Sequence, residues 1–216
     1  MSLLGAGALM MWCDYPRSRS AEQGAWHSKE HLPERLSVPG FLRGRRGIRE
    51  DGDNAALFIL YELTDLSVMT SSAYLARLNA PTPWTVRVNA ATSNFNRSPG
   101  RVMKSWGLGA GGVILTARFA APAGHEAQTI REAEAWSTGL AEEPAVTGAH
   151  FIATEPDWVV ATREQEQRGR PDALAALVVI AEGYDPESLG DACRRCRPPS
   201  LDCDVAFDGY RIVHLA

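Results

Sequence analysis

Residues 55–63 read Ala55-Ala56-Leu57-Phe58-Ile59-Leu60-Tyr61-Glu62-Leu63, and the fold turns on them. Side chains alternate along an extended chain, so Leu57, Ile59, Tyr61 and Leu63 share one face. Ala56, Phe58, Leu60 and Glu62 share the other. Both faces are largely apolar, which calls for cover on both sides. A strand of this kind belongs inside a layered structure.

The flanks supply the layers. Upstream, Asp51-Gly52-Asp53 turns the chain out of a strand over 41–49. Before that, Pro39-Gly40 ends a helix over about 21–37, with Ser20 and Gln23 spaced as a capping box at its start. The apolar run 7–13 is a first strand. Downstream, Asp65 can cap a second helix ending near Leu78, and 84–88 reads as a fourth strand. The order is β-α-β-β-α-β, the ferredoxin-like unit.

The chain then repeats this order. Strands are expected at 112–119, 146–154, 174–181 and 205–215, and helices at 127–140 and from Asp185-Pro186 onward. Val38-Pro39-Gly40-Phe41 aligns with Glu143-Pro144-Ala145-Val146 at a constant offset. The expected organisation is a first repeat over 1–90, a linker over 91–111 and a second repeat over 112–216. The linker ends in Gly107-Leu108-Gly109-Ala110-Gly111-Gly112, a flexible composition. These glycines precede a strand rather than open a helix, so they do not read as a phosphate loop.

A four-stranded sheet with helices on one face leaves its other face bare, and an apolar bare face must be covered. Two repeats solve this if their bare faces pack together. The expected fold is α+β: two ferredoxin-like (βαββαβ) repeats packed sheet to sheet as a pseudo-dimeric α/β barrel, with a pocket between them.

The stretch Trp26-His27-Ser28-Lys29-Glu30-His31-Leu32-Pro33-Glu34-Arg35, followed by Val38-Pro39-Gly40-Phe41, resembles the dimeric α/β-barrel superfamily and its EthD-like branch. Pro81-Thr82-Pro83-Trp84-Thr85 is similar to that branch's approach to the last strand. The likeness covers about 7–90; the second half shares only the order of elements. It implies a tandem fusion imitating the usual homodimer. The superfamily includes monooxygenases, polyketide cyclases, lactone isomerases, haem-dependent enzymes and proteins with no assigned activity.

Composition narrows the classes. The 216 residues are 45% hydrophobic and 22% charged, with a net charge of −4, so nothing draws the chain globally toward nucleic acid. The apolar start lacks a basic leader region and no run approaches the ~20 residues of a membrane helix, so a soluble, cytoplasmic protein is expected. Cys13, Cys193, Cys196 and Cys203 do not make a disulfide framework. Cys193-x2-Cys196 lies at a helix end and lacks an evident fourth zinc ligand, so incidental thiols are expected, though nearby arginines could lower a thiol pKa.

The candidate chemistry centres on the first helix. His27 and His31 stand four apart on one face, and Glu34 follows three later. A metal would need another ligand, and no metal is assigned. His31 is the acid/base candidate with His27 beside it, against a scaffold role in anchoring the Pro-Gly turn. Pro33 should kink the helix there. Arg43 and Arg45 share one strand face and Arg46 takes the other; Glu62 needs a partner if buried, and an Arg–Glu pair is the first reading. The functional alternative is an arginine clamping a substrate anion, so Arg43, Arg45, Arg46 and Glu62 are substrate-binding candidates. Trp84 joins them because pockets are aromatic-lined. A haem ligand could come from His150 or His214 among the strand histidines, but no complete set is visible, and no cofactor is assigned.

These residues support a small-molecule-binding protein, in its catalytic form a cofactor-independent monooxygenase, cyclase or isomerase acting on an aromatic or polyketide-like substrate. The alternative is a non-catalytic binding or assembly protein. No nucleic acid or membrane partner is expected; the pseudo-dimer is complete in one chain and can pair again as a homodimer. The site is expected to be asymmetric, with a base, an anion clamp and a carboxylate in the first half. No counterparts are read in the second, which acts as a lid.

Overall fold

A computed structural model describes residues 2–168, 172–201 and 205–216. Eight strands hydrogen-bond in the order β1-β3-β2-β8-β5-β7-β6-β4 as a closed antiparallel barrel with helices. The chain forms two compact units. One holds Leu4–Gly100, Glu155–Leu174 and Val213–Ala216; the other holds Arg101–Thr154 and Ala175–Ile212 with the N-terminal residues up to Leu3.

In the first unit β3 (Asn54–Leu63) is the middle strand, paired with β1 (Gly7–Pro16) and β2 (Phe41–Asp51). Leu63 lies opposite Gly7 on one side and Phe41 on the other. Both faces of β3 are buried, as its pattern demands. Leu57, Ile59, Tyr61 and Leu63 join clusters with Leu9, Met11, Trp26, Leu32 and Val88. Gly40, at φ +96°, makes the turn into β2, and a Cβ there would meet Val68 at 2.3 Å. A left-handed backbone beside a packed side chain leaves room for glycine alone.

The first helical region is α1 (Ser20–Trp26), a π-helical stretch His27–His31, and α2 (Leu32–Leu36). Ser20 is not a cap: a 3₁₀ turn over Arg17–Arg19 feeds the helix and makes Ser20 its first residue. Asp65 does cap, accepting the Ser67 N–H at 2.8 Å, but it opens a short 3₁₀ turn, and Ser71 caps the following α3 (Ser72–Leu78).

The segment read as a fourth strand is a helix, α4 (Pro83–Ala91). Thr82 accepts the Thr85 N–H at 3.0 Å and Pro83 occupies the first turn, a strong start signal that outweighs five residues of strand-like pattern. The fourth strand comes later: β4 (Ser93–Gly107) runs through the stretch read as linker. Its polar residues are tied by distant partners. The Arg97 N–H donates to the Ala173 carbonyl at 3.0 Å, and the Arg97 guanidinium donates to the Tyr74 hydroxyl at 3.0 Å.

In the second unit β7 (Leu177–Gly183) lies between β5 (Val113–Phe119) and β6 (Val146–Thr154), and β8 (Ala206–Leu215) pairs with β5. Every residue of β7 is buried. Trp136 and Leu140 of α5 (Glu126–Ala141) pack with Phe151, Val179, Ala181 and Leu189. Asp185 caps α7 (Pro186–Cys196), accepting the Ser188 N–H at 2.8 Å. A short α6 (Arg163–Arg168) belongs to the first unit. The β2–β3 register slips between Phe41 and Arg43, and the β6–β7 register slips between Val146 and Gly148. These positions are equivalent in the Pro39/Pro144 alignment, so each unit carries a bulge at the same step of the pattern. Among the described residues no helix is long and apolar enough to cross a membrane.

Candidate functional site

Pro33 shapes the centre of the site. Its ring crowds the carbonyl four residues back, and it brings no N–H to bond there. The chain answers with a wider turn: the Leu32 N–H donates to the His27 carbonyl, a five-residue step. Such π segments recur at functional sites. Here the stretch turns both histidines inward, with His27 0% and His31 6% exposed and their rings 5.9 Å apart.

A cavity of about 50 Å³ lies within the first unit beneath this segment, room for a few water molecules or a small molecular fragment. Leu9, Met11, Leu57 and Ile59 form its apolar floor, and Trp26, His31, Tyr61 and Tyr74 supply rings. Arg35, Arg97, Asn89 and Glu164 bring polar groups to its edge. Arg35 donates to Glu164 at 2.7 Å, and its guanidinium carbon stands 5.5 Å from the Tyr74 ring centre. That pair joins α2 to α6 across 129 residues of sequence, which local pattern cannot reveal.

His31 stacks on Trp26 with centroids 4.3 Å apart, and its Nδ1 is buried with no hydrogen-bond partner among the described residues. Burial, then the Arg35 charge, holds its pKa well below the ordinary histidine value. His27 sits deeper: its Nε2 lies 3.4 Å from the Tyr61 hydroxyl, and burial, then Arg46, pushes its pKa well down too. Both rings are neutral at pH 7. Burial raises the Tyr61 phenol, which stays protonated.

The other sequence candidates fall elsewhere. Glu62 accepts two bonds from Arg43, at 2.7 and 2.8 Å, one from Arg45 at 2.8 Å, and the Leu4 N–H at 2.8 Å. All three side chains lie on the face of the sheet opposite Tyr61, and none lines the cavity. Arg46 donates to the Gly24 carbonyl at 3.1 Å and to the Ser28 hydroxyl at 3.4 Å, bracing α1. Trp84 does not line the cavity; it packs beside Cys13, Tyr15 and Trp26. Glu34 turns to Arg35 at 3.2 Å. Among the described residues no group of three or more His, Cys, Asp or Glu could hold a metal ion.

The second unit corrects the expected asymmetry. Glu182, fully buried, occupies in the β6–β7 register the place that Glu62 occupies in β2–β3, so the carboxylate does have a counterpart. The strand read as ending at Ala181 runs two residues further and includes it. Where Arg43 faces Glu62, Gly148 faces Glu182, and His150 Nε2 lies 2.9 Å from the Glu182 carboxyl instead. Ser105 occupies the other nitrogen of that ring at 2.9 Å, so the His150 ring is not free to ligate haem. His214, the other haem candidate, lies 3.2 Å from Ser28 through Nδ1. The thiols also differ from expectation. Burial pushes Cys193 up to about 12, and burial and Glu143 raise Cys196, so the neighbouring arginines do not activate either. Cys203 lies outside the described residues.

No family model matches the chain, and no curated protein matches it. Solved structures do. A provisionally assigned monooxygenase from Fusobacterium nucleatum superposes with a TM-score of 0.59 over 99% of this chain and 95% of its own, at 8% identity. An anthrone oxidase-like protein gives 0.58 over 100% and 95%, at 10% identity. A ferredoxin-fold protein from Listeria monocytogenes, described as related to antibiotic biosynthesis monooxygenases, gives 0.50 over 98% and 97%, at 8% identity. The chain has their fold. At such identities the likeness reaches the architecture and stops short of the chemistry.

Proposed function

We propose that this protein binds a small aromatic or enolic molecule in the first-unit cavity and that His31 is the group that handles its proton. The observation that carries the reading is His31 Nδ1, a buried ring nitrogen with no hydrogen-bond partner among the described residues, on a ring that lines the cavity beside an apolar floor. Buried polar atoms are nearly always satisfied, and a ligand hydroxyl is the natural complement. The neutral imidazole accepts a hydrogen bond from a phenol or enol. Because its cation is disfavoured, a proton taken during reaction is readily returned, as suits an isomerase, cyclase or monooxygenase acting without a bound cofactor. Trp26 and Tyr61 supply flat apolar walls for a ring. The Trp26-x4-His31-x-Pro33 signature supports placement in the EthD-like branch, with the chain as a tandem of two ferredoxin-like repeats. In this reading Arg43, Arg45 and Glu62 are architectural, and Arg35 and Arg97 replace them as the cations nearest the ligand.

The test is calorimetric titration with phenol, 1-naphthol and anthrone against the wild type and His31→Leu. The expected result is binding of at least the smallest probe, weakened about tenfold by the substitution, as a lost hydrogen bond of ~1.4 kcal/mol implies. Equal binding by both proteins, or none by the wild type, overturns the reading in favour of a non-catalytic assembly protein.

A further inference from the structure

The second unit contains a continuous relay that the cavity does not use. The Leu3 N–H donates to Ser105 Oγ at 2.8 Å; Ser105 Oγ lies 2.9 Å from His150 Nδ1; His150 Nε2 lies 2.9 Å from Glu182 Oε1. Glu182 Oε2 also accepts the Gly111 N–H at 3.3 Å. His150 and Glu182 are fully buried, whereas Ser105 is half-buried. Three strands supply the groups: β4, β6 and β7.

The direction of the relay follows from its ends. With Glu182 as the ionised acceptor, the proton on the imidazole sits on Nε2, facing it. Nδ1 then carries the lone pair, and the serine hydroxyl, already accepting from Leu3, donates to it. This is the polarity of a nucleophile, a base and an orienting acid. The site is also cleared for it. A Cβ on Gly148 would stand 3.2 Å from His150 Nε2 and 3.4 Å from the Glu182 carboxyl, tight contacts on the very hydrogen bond that orients the ring. The equivalent place in the first unit holds an arginine.

We propose that Ser105 is a nucleophile toward short-chain esters, with His150 as its base and Glu182 as the positioning residue. Ser105 Oγ bonds to the ester carbonyl carbon while its proton passes to His150 Nδ1 and the carbonyl electron pair moves onto oxygen. Collapse breaks the bond to the leaving alkoxide, which takes the proton back from His150. Water then attacks the acyl-serine by the same steps in reverse, releasing the carboxylic acid and restoring the serine.

The test uses the full-length protein with a fluorophosphonate probe and with p-nitrophenyl acetate, reading the modified residue by peptide mass spectrometry. The expected result is covalent labelling at Ser105 and none in Ser105→Ala. Labelling should slow by about 10²–10⁴-fold in His150→Gln, the usual contribution of a general base. Glu182→Gln should slow labelling and displace its pH profile, which a purely architectural carboxylate would leave in place. Circular dichroism confirms that each variant is folded. A folded wild type in which Ser105 stays unlabelled by both reagents overturns the proposal and leaves the relay as the means of satisfying a buried carboxylate. So does labelling unaffected by His150→Gln.

Discussion

The imidazole of His31 lies 4.3 Å from the indole of Trp26, tilted by 32°, and between them they form one wall of the first-unit cavity. The stack fixes the ring while leaving its Nδ1 without a hydrogen-bond partner among the described residues. A residue held firmly yet unsatisfied is more costly to folding than an apolar one of the same size. His31→Leu should therefore be neutral or stabilising by up to ~1 kcal/mol, since it removes a buried polar atom without orphaning a partner. Urea unfolding measures this, and the loss of phenol binding in the same variant separates function from stability. Destabilisation beyond 2 kcal/mol would mean that the ring is scaffold.

Acid should unfold the protein through its buried histidines. His27 and His31 both have folded-state pKa values well below the unfolded one, with burial the largest cause. Below the unfolded value of ~6.5 the unfolded chain binds more protons than the folded one, so stability is full above that pH and falls beneath it. Each histidine should remove ~1.4 kcal/mol per pH unit in that window until its folded value is reached. Urea midpoints from pH 8 to pH 4.5 should show this slope, and it should shrink in His31→Gln. A midpoint that is flat across this range would contradict it.

Glu62 joins two buried arginines, and removing it alone strands their charge. Glu62→Ala should cost ~3–5 kcal/mol, whereas Arg43→Met, Arg45→Met and Glu62→Leu together should recover most of the loss. Thermal unfolding of the single and triple variants compares the two. Equal damage in both would show that shape, not charge, sets the cost.

Cys193 should resist alkylation. With its thiol pushed up to about 12 by burial, almost no thiolate exists at pH 8. Iodoacetamide should modify it at least ~100-fold more slowly in the native protein than in 8 M urea, where its pKa returns to ~8.5. Rapid native modification, read by mass spectrometry, would place the side chain at the surface.

What the sequence determined by itself was local. The alternation in Ala55–Leu63 required a strand covered on both faces, and the turn chemistry of Pro39-Gly40, Asp51-Gly52-Asp53 and Asp185-Pro186 set element ends, because periodicity and turn preference are properties of a few adjacent residues. His31 stood out for the same reason: its spacing from Trp26 and Pro33 is written in one helix. Tertiary structure decided the rest. It made 93–107 a strand, since a polar segment of this kind takes the form that its distant partners reward. It also placed the cavity on the helix side of β3, so that Arg43, Arg45 and Glu62 satisfy one another on the far face while Arg35, Arg97 and Glu164 edge the pocket. The partners of a buried charge are fixed by folding, and Glu164 reaches Arg35, and Glu182 reaches His150, only once strands and helices far apart in the chain have met.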